Sequence, residues 1–197
     1  MRSLWDFIIK PSGSRYNNVK KIDEDKELII NSEISNHQFV NRTATVVEVP
    51  VVFDGEVEKG DEVIVHHNIF RRWYNVKGEE KNSRAFLCDD KYLAQADQVY
   101  LYKKNDTWKC FDGYCFVQPI KDKSMLSVDV EKPLMGIVKY SDGTVNVGDL
   151  VGFKPHSEFE FIIDGQRLYR VMSRFITIKY EYQGDEEEYN PSWAQSG

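Results

Sequence analysis

The motif V-x-x-G-D-x-V occurs twice, as Val57-Glu-Lys-Gly60-Asp61-Glu-Val63 and as Val145-Asn-Val-Gly148-Asp149-Leu-Val151, 88 residues apart (148 − 60). A Gly-Asp pair leading into a β-branched run reads as a turn that feeds a strand, because glycine takes the left-handed backbone a tight turn needs. Two further landmarks keep the same order. Phe7-Ile-Ile-Lys-Pro11 matches Cys115-Phe-Val-Gln-Pro119, an apolar run ending in polar-Pro, at an offset of 108 (119 − 11). Tyr92-Leu93 falls against Phe175-Ile176. Three landmarks in one order point to an internal duplication.

The rest of the chain fits this pattern. Thr43–Val49, Asp61–Val65, Gln98–Tyr102, Gly136–Tyr140, Leu150–Phe153, Glu158–Ile163 and Phe175–Tyr182 read as strands. Asp54-Gly55, Lys59-Gly60, Asp142-Gly143 and Asp164-Gly165 supply turns between them. No segment keeps a helical period for three turns, and an aromatic share of 13% suits sheets. The chain is therefore expected to be all-β, a barrel or sandwich. The polar stretch Lys103–Thr107 divides it into domains 1–106 and 107–183, followed by an acidic, solvated tail at 184–197.

The halves differ in one place. From the Pro to the glycine of the G-D turn takes 49 residues in the first half (60 − 11) and 29 in the second (148 − 119). The roughly 20 extra residues are placed within Ser12–Arg42, a polar stretch too long for a plain connection.

Several function classes are excluded on composition. A net charge of -6 argues against a general nucleic-acid or anionic-membrane binder. No apolar run approaches the ~20 residues of a membrane span. The start of the chain lacks a secretory pattern, and three cysteines (Cys88, Cys110, Cys115) make no disulfide framework. A reducing cytoplasm is expected. His66 and His67, as strand neighbours, are expected on opposite faces and so unable to share a metal. Cys110 and Cys115 lack the spacing of a zinc site. Arg71-Arg72-Trp73-Tyr74 reads as a hairpin tip or subunit contact before a nucleic-acid stacking surface. Pro191-Ser-Trp193 has the composition of a small docking element. No catalytic set appears, so neither an enzyme nor a cofactor is expected.

Phe116-Val-Gln-Pro-Ile-Lys-Asp-Lys123, Val145–Phe153 and Val171-Met172-Ser173 with Phe175-Ile176 together resemble the GroES-type co-chaperonins. Ile8–Pro11 and Val57–Val65 match that family more loosely, and the likeness covers most of residues 5–182. It implies two tandem GroES-like small β-barrels, the first with a long mobile loop at about 12–42. In the family such a loop ends in a hydrophobic tripeptide that docks on a GroEL-type chaperonin. Leu28-Ile29-Ile30 is the matching triplet, set among charges and amides. The implied function is a non-enzymatic co-chaperonin that caps the chaperonin cavity during ATP-dependent folding, the ATP being bound by the partner. The implied assembly is a homo-oligomeric ring of seven.

Three departures stand out. Glu27 occupies the place of the family's usual glycine. Asp122–Glu131 is too short for a second mobile loop. The roof connections, Pro50–Glu56 and Ser141–Thr144, are short, as in phage-encoded members, which would place the protein in a host cytoplasm. On residues alone, Leu28–Ile30 reads first as an ordinary buried strand of the first barrel; the resemblance turns the preference to docking. Two other readings stand beside the co-chaperonin one. A virion or scaffold assembly protein would hold Ser12–Arg42 ordered against neighbours, and a ligand-binding β module would be a monomer.

Overall fold

Gly60 and Gly148 have φ of +96° and +90°, the left-handed region in which a side chain is strained. Each donates its N–H to the strand across the turn, Gly60 to Val46 O and Gly148 to Val138 O, both at 2.8 Å. Around these turns the computed structural model describes residues 2–17, 19–23, 26–29, 36–123, 130–181 and 184–196. The chain divides into two compact units, Met1–Thr107 and Trp108–Gly197. Among the described residues no helix is long and apolar enough to cross a membrane.

The first unit contains β1 (Phe7–Pro11), β2 (Val19–Asp23), β3 (Lys26–Ile29), β4 (Thr43–Glu48), β5 (Glu62–Val65), β6 (Arg72–Tyr74), β7 (Glu80–Asn82), β8 (Phe86–Cys88), β9 (Lys91–Ala94) and β10 (Val99–Lys104). β11 (Thr107–Cys110) spans the boundary. The second unit follows with β12 (Tyr114–Lys121), β13 (Glu131–Ser141), β14 (Leu150–Phe153), β15 (Phe159–Ile163), β16 (Gln166–Met172) and β17 (Ile176–Tyr180).

Within unit 1 the main strands run β10-β5-β4-β1-β9-β8, and in unit 2 β17-β14-β13-β12-β16-β15. The two orders are the same order. The registers agree as well. Ile9 faces Val46 and Pro11 faces Ala44, as Val117 faces Val138 and Pro119 faces Gly136. Ile9 faces Tyr92 on its other side, as Val117 faces Tyr169. A bulge falls between Ile8 and Ile9, and another between Phe116 and Val117. The first sheet also carries β11 beside β10, and among the described residues neither six-stranded frame pairs its first strand with its sixth, so each is open.

Inward residues of this frame are aliphatic and aromatic. Ile9, Val46, Val63, Val65, Phe70, Tyr92 and Leu101 fill unit 1. Val117, Val138, Val151, Phe153 and Val171 form the matching cluster in unit 2. Burial of such side chains, about 1.5–3 kcal/mol each, is what holds sheets of this size.

The register corrects the third sequence landmark. Tyr92 matches Tyr169, and Gln98-Val99 matches Phe175-Ile176. Gln98 O accepts from His66 N–H at 2.9 Å as Phe175 O accepts from Lys154 N–H at 3.0 Å. The offset therefore falls from 108 at β1 (119 − 11) to 92 at β4 (136 − 44), 88 at β5 (148 − 60) and 77 at β9 (169 − 92). Each step locates extra chain in unit 1: 16 residues between β1 and β4 (108 − 92), 4 between β4 and β5 (92 − 88), and 11 between β5 and β9 (88 − 77). The second and third insertions were not separated in the sequence reading. The first carries β2 and β3, which pair only with each other; the third carries β6 and β7, which do the same.

The acidic C-terminal segment is not a solvated tail. β16 pairs with β12 only as far as Val117, leaving the rest of that edge free. Residues 187–189 fill it: Lys121 N–H donates to Glu187 O and Tyr189 N–H to Pro119 O, both at 2.8 Å. Lys121, Lys123 and Lys139 pair with Glu187, Glu186 and Glu188. Asn190 clips the β15–β16 turn, accepting from Arg167 N–H and donating to Gly165 O, each at 3.0 Å. The Arg167 guanidinium lies over the rings of Tyr169, Tyr189 and Trp193, and Ala194 is buried. Pro191–Trp193 thus docks on its own unit.

Candidate functional site

The excursion between β1 and β4 begins with a zipped neck. Ser12 N–H donates to Thr43 O at 3.0 Å, Asn41 N–H to Arg15 O at 2.9 Å and Asn17 N–H to Phe39 O at 2.7 Å, while Tyr16 bridges to Val40. Asn41 is the clip. Its Nδ2 donates to Ser12 O and Ser14 O, both at 2.9 Å, and its Oδ1 accepts from Thr43 N–H at 2.9 Å. The residue is 4% exposed, so every polar atom of its amide is employed inside the neck. An asparagine just before a β-branched run carries this signal in the sequence, as an Asx turn opening a strand.

Beyond the neck the chain forms the β2–β3 hairpin, with Leu28 facing Lys20 and Ile29 facing Val19. The sequence-predicted docking residues Leu28 and Ile29 therefore lie on β3, in a two-stranded sheet of their own rather than in the six-stranded frame. Ile30 lies outside the described residues. The expected loop of about 12–42 is thus a neck (12–17 with 36–42) plus an arm, not a single free segment.

The neck also grips the second inserted hairpin. Arg15 Nε and Nη2 donate to Phe70 O at 3.2 and 2.8 Å, Arg15 Nη1 donates to Asn82 Oδ1 at 2.8 Å, and its guanidinium lies 5.1 Å over the Tyr92 ring. Burial pushes the Tyr92 hydroxyl up to about 12, against the opposing pull of Arg15. Tyr16 is buried and its hydroxyl accepts from Arg72 N–H at 2.7 Å, with the Arg72 guanidinium 4.7 Å over the Tyr16 ring. Nothing in the composition of Arg15-Tyr16 announces this role.

β6 and β7 pair as Arg72 with Asn82, Trp73 with Lys81 and Tyr74 with Glu80. Trp73 and Tyr74 are adjacent and so point to opposite faces. Both are exposed, at 49% and 58%, so both faces of the ribbon meet solvent. Val76 at its tip is fully exposed. The hairpin expected at Arg71–Tyr74 is present, but Arg72–Tyr74 form its first strand and the tip is the Asn75–Gly78 turn.

His66 and His67 are not on opposite faces. β5 ends at Val65, and His66 caps a 3-10 turn (His67–Ile69), its Nδ1 accepting from Asn68 N–H at 3.0 Å. The strand period therefore stops one residue before the pair, and the two rings stack at 4.4 Å. His37, at the end of the neck, approaches His67 at 5.2 Å. Burial, then the positive neighbours His66, Arg42, His37 and Arg71, hold the His67 imidazole down to about 3. Among the described residues no group of three or more His, Cys, Asp or Glu is placed to hold a metal ion.

No family model matches this chain, and no curated protein does either.

Proposed function

We propose that the protein is a co-chaperonin, two GroES-like barrels in tandem, with each open six-stranded frame corresponding to one barrel. Leu28, Ile29 and Ile30 are its anchor on a GroEL-type chaperonin. The observation that carries the reading is that one frame repeats register for register, while among the described residues only the first copy extends a clipped arm between its first and second paired strands. An apolar triplet in such an excursion suits repeated weak docking, in which a ring of copies raises avidity. Three apolar side chains supply roughly 4–8 kcal/mol gross on burial, much of which is offset by ordering. The ring is expected to be a heptamer working in the cytoplasm of the host cell.

Co-elution with a double-ring chaperonin, with and without nucleotide, tests this for the wild type and for Leu28→Ser/Ile29→Ser/Ile30→Ser. Nucleotide-dependent binding that the variant loses supports both function and anchor. A ring that forms without binding its host's chaperonin removes the reading. The exposed aromatic ribbon β6–β7 then favours the second reading, an assembly protein of a virion or scaffold.

A further inference from the structure

Two short segments of unit 1 lie side by side outside the frame strands. Val51 N–H donates to Ser3 O at 3.0 Å and Val52 N–H to Leu4 O at 3.3 Å, so the two segments run in the same direction. They turn large apolar side chains to solvent: Leu4, Trp5, Val51 and Val52 are 61%, 71%, 59% and 54% exposed. The exposure is built in. Phe53 N–H donates to Pro50 O at 3.1 Å, and the Phe53 ring packs edge-on against the buried Phe7 at 4.9 Å, which floors the second segment.

The frame does not require this surface, and unit 2 is the control. Glu48 matches Tyr140 (48 + 92) and Asp54-Gly55 matches Asp142-Gly143 (54 + 88). The four residues inserted between β4 and β5 are therefore Val49-Pro50-Val51-Val52. Leu4-Trp5 matches Asp112-Gly113 (4 + 108), and Phe7 and Phe53 match Cys115 and Ser141 (7 + 108, 53 + 88). One copy of the frame ends here in polar turn residues, the other in a supported apolar cluster. Scattered exposed apolar residues are ordinary, whereas such a cluster marks an interaction surface.

Charge indicates what covers it. Arg2 precedes the Ser3–Val51 pair at one end, while Asp6 and Asp54 each follow the Leu4–Val52 pair by two residues at the other. Arg2 and Asp54 are exposed, and Glu48, two residues before Pro50, is engaged by Lys59 at 2.7 Å. An apolar strip that is positive at one end and negative at the other is complementary to itself turned end for end, which is what a two-fold axis does. The area agrees. Three aliphatic side chains and one indole at this exposure offer roughly 300–450 Å² per copy. The pair buries about twice that, at the weak and reversible end of protein interfaces.

We propose that Leu4, Trp5, Val51 and Val52 dock on the same four residues of a second copy of this chain, with Arg2 of each copy facing Asp54 of the other. The contact does not depend on the function proposed above. It pairs whatever species is present, single chains or rings, two by two.

Sedimentation of the full chain between about 1 and 100 µM, the range of weak interfaces, tests this. The mass of the wild-type species is expected to double with concentration. Trp5→Ser, at an exposed position and so without effect on the thermal melt, should weaken the doubling about tenfold. Arg2→Glu and Asp54→Lys should each weaken it alone. An equimolar mixture of those two variants should pair more tightly than either by itself, because the mixed pair has opposite charges at both ends. No doubling, or a mixture no better than its components, overturns the proposal and leaves the surface to a different partner. Loss of a ring itself in Trp5→Ser also overturns it, since a closed ring is built from head-to-tail contacts and not from two-fold ones.

Discussion

Asp61 and Asp149 make the same two contacts 88 residues apart (149 − 61). Each takes a lysine of its unit's β10 or β17 strand, Lys104 or Lys179, at 2.8 Å. Each also accepts the N–H three residues earlier, from Glu58 at 2.8 Å and from Asn146 at 3.0 Å. Lys179 holds the Asp149 carboxyl below its ordinary range, and Asp61 followed by Glu58 holds the Lys104 ammonium above its own. The turn that enters β5 in one unit and β14 in the other is thereby tied to the strand beside it, β10 or β17.

Gly60→Ala and Gly148→Ala should each destabilise by about 1 kcal/mol, because alanine is strained at positive φ even where space is open. Denaturant unfolding of the two single variants checks this. Near-equal losses are expected from equal turns, and no loss in either would show the turns to be permissive. Gly136→Ala should cost more, since its Cβ would lie 2.3 Å from Gln118 O.

Asn41→Ala should destabilise unit 1 by about 1–3 kcal/mol, because two carbonyls and one N–H lose their partner in a closed neck. Limited proteolysis within 12–42 should quicken in the same variant. Unchanged cleavage would mean that the backbone ladder alone holds the neck.

Stability should fall as pH drops below the ordinary imidazole range. His67 has a folded value of about 3 against 6.5 when free. The unfolded chain therefore binds the extra proton between those values, and acid favours it. The contribution is whole above about pH 6.5 and is lost progressively toward pH 3. Thermal melts across that window, compared with His67→Gln, should show a shallower slope in the variant. Equal slopes would assign the acid sensitivity to other groups.

Asn190→Ala should loosen the C-terminal strap by about 1–2 kcal/mol, since a backbone N–H and a carbonyl both lose their partner. Salt should act more weakly, because the lysine–glutamate pairs along the strap are exposed and screened. Hydrogen exchange at Lys121 and Tyr189 N–H reads both effects. Strong salt dependence with an inert Asn190 would reverse this ranking.

The duplication was legible because Gly-Asp turns and Pro-ended strands are written in residues with few substitutes. The Tyr92-Leu93 landmark slipped because β9 and β10 are both apolar and only a 3-10 corner, Ala96–Gln98, separates them. The His66-His67 faces were misjudged because a strand period was continued past the last residue of β5. The strap was missed because three glutamates look alike whether solvated or paired; the matching Lys121, Lys123 and Lys139 lie 49 to 66 residues away in sequence. Arg15 and Tyr16, which lock neck to ribbon, act through contacts 55 and 56 residues distant and have no local pattern.

The arm leaves the frame from β1 and returns through β4, which are neighbours in the middle of the sheet with β9 and β5 on their outer sides. A pull at the tip therefore enters along the axes of two interior strands. It must slide each past ladders on both flanks, and it cannot peel an edge away bond by bond. Mechanical load is thus borne in shear, with the Asn41 clip keeping the two strands together, so the arm can be tugged without prising its own sheet apart.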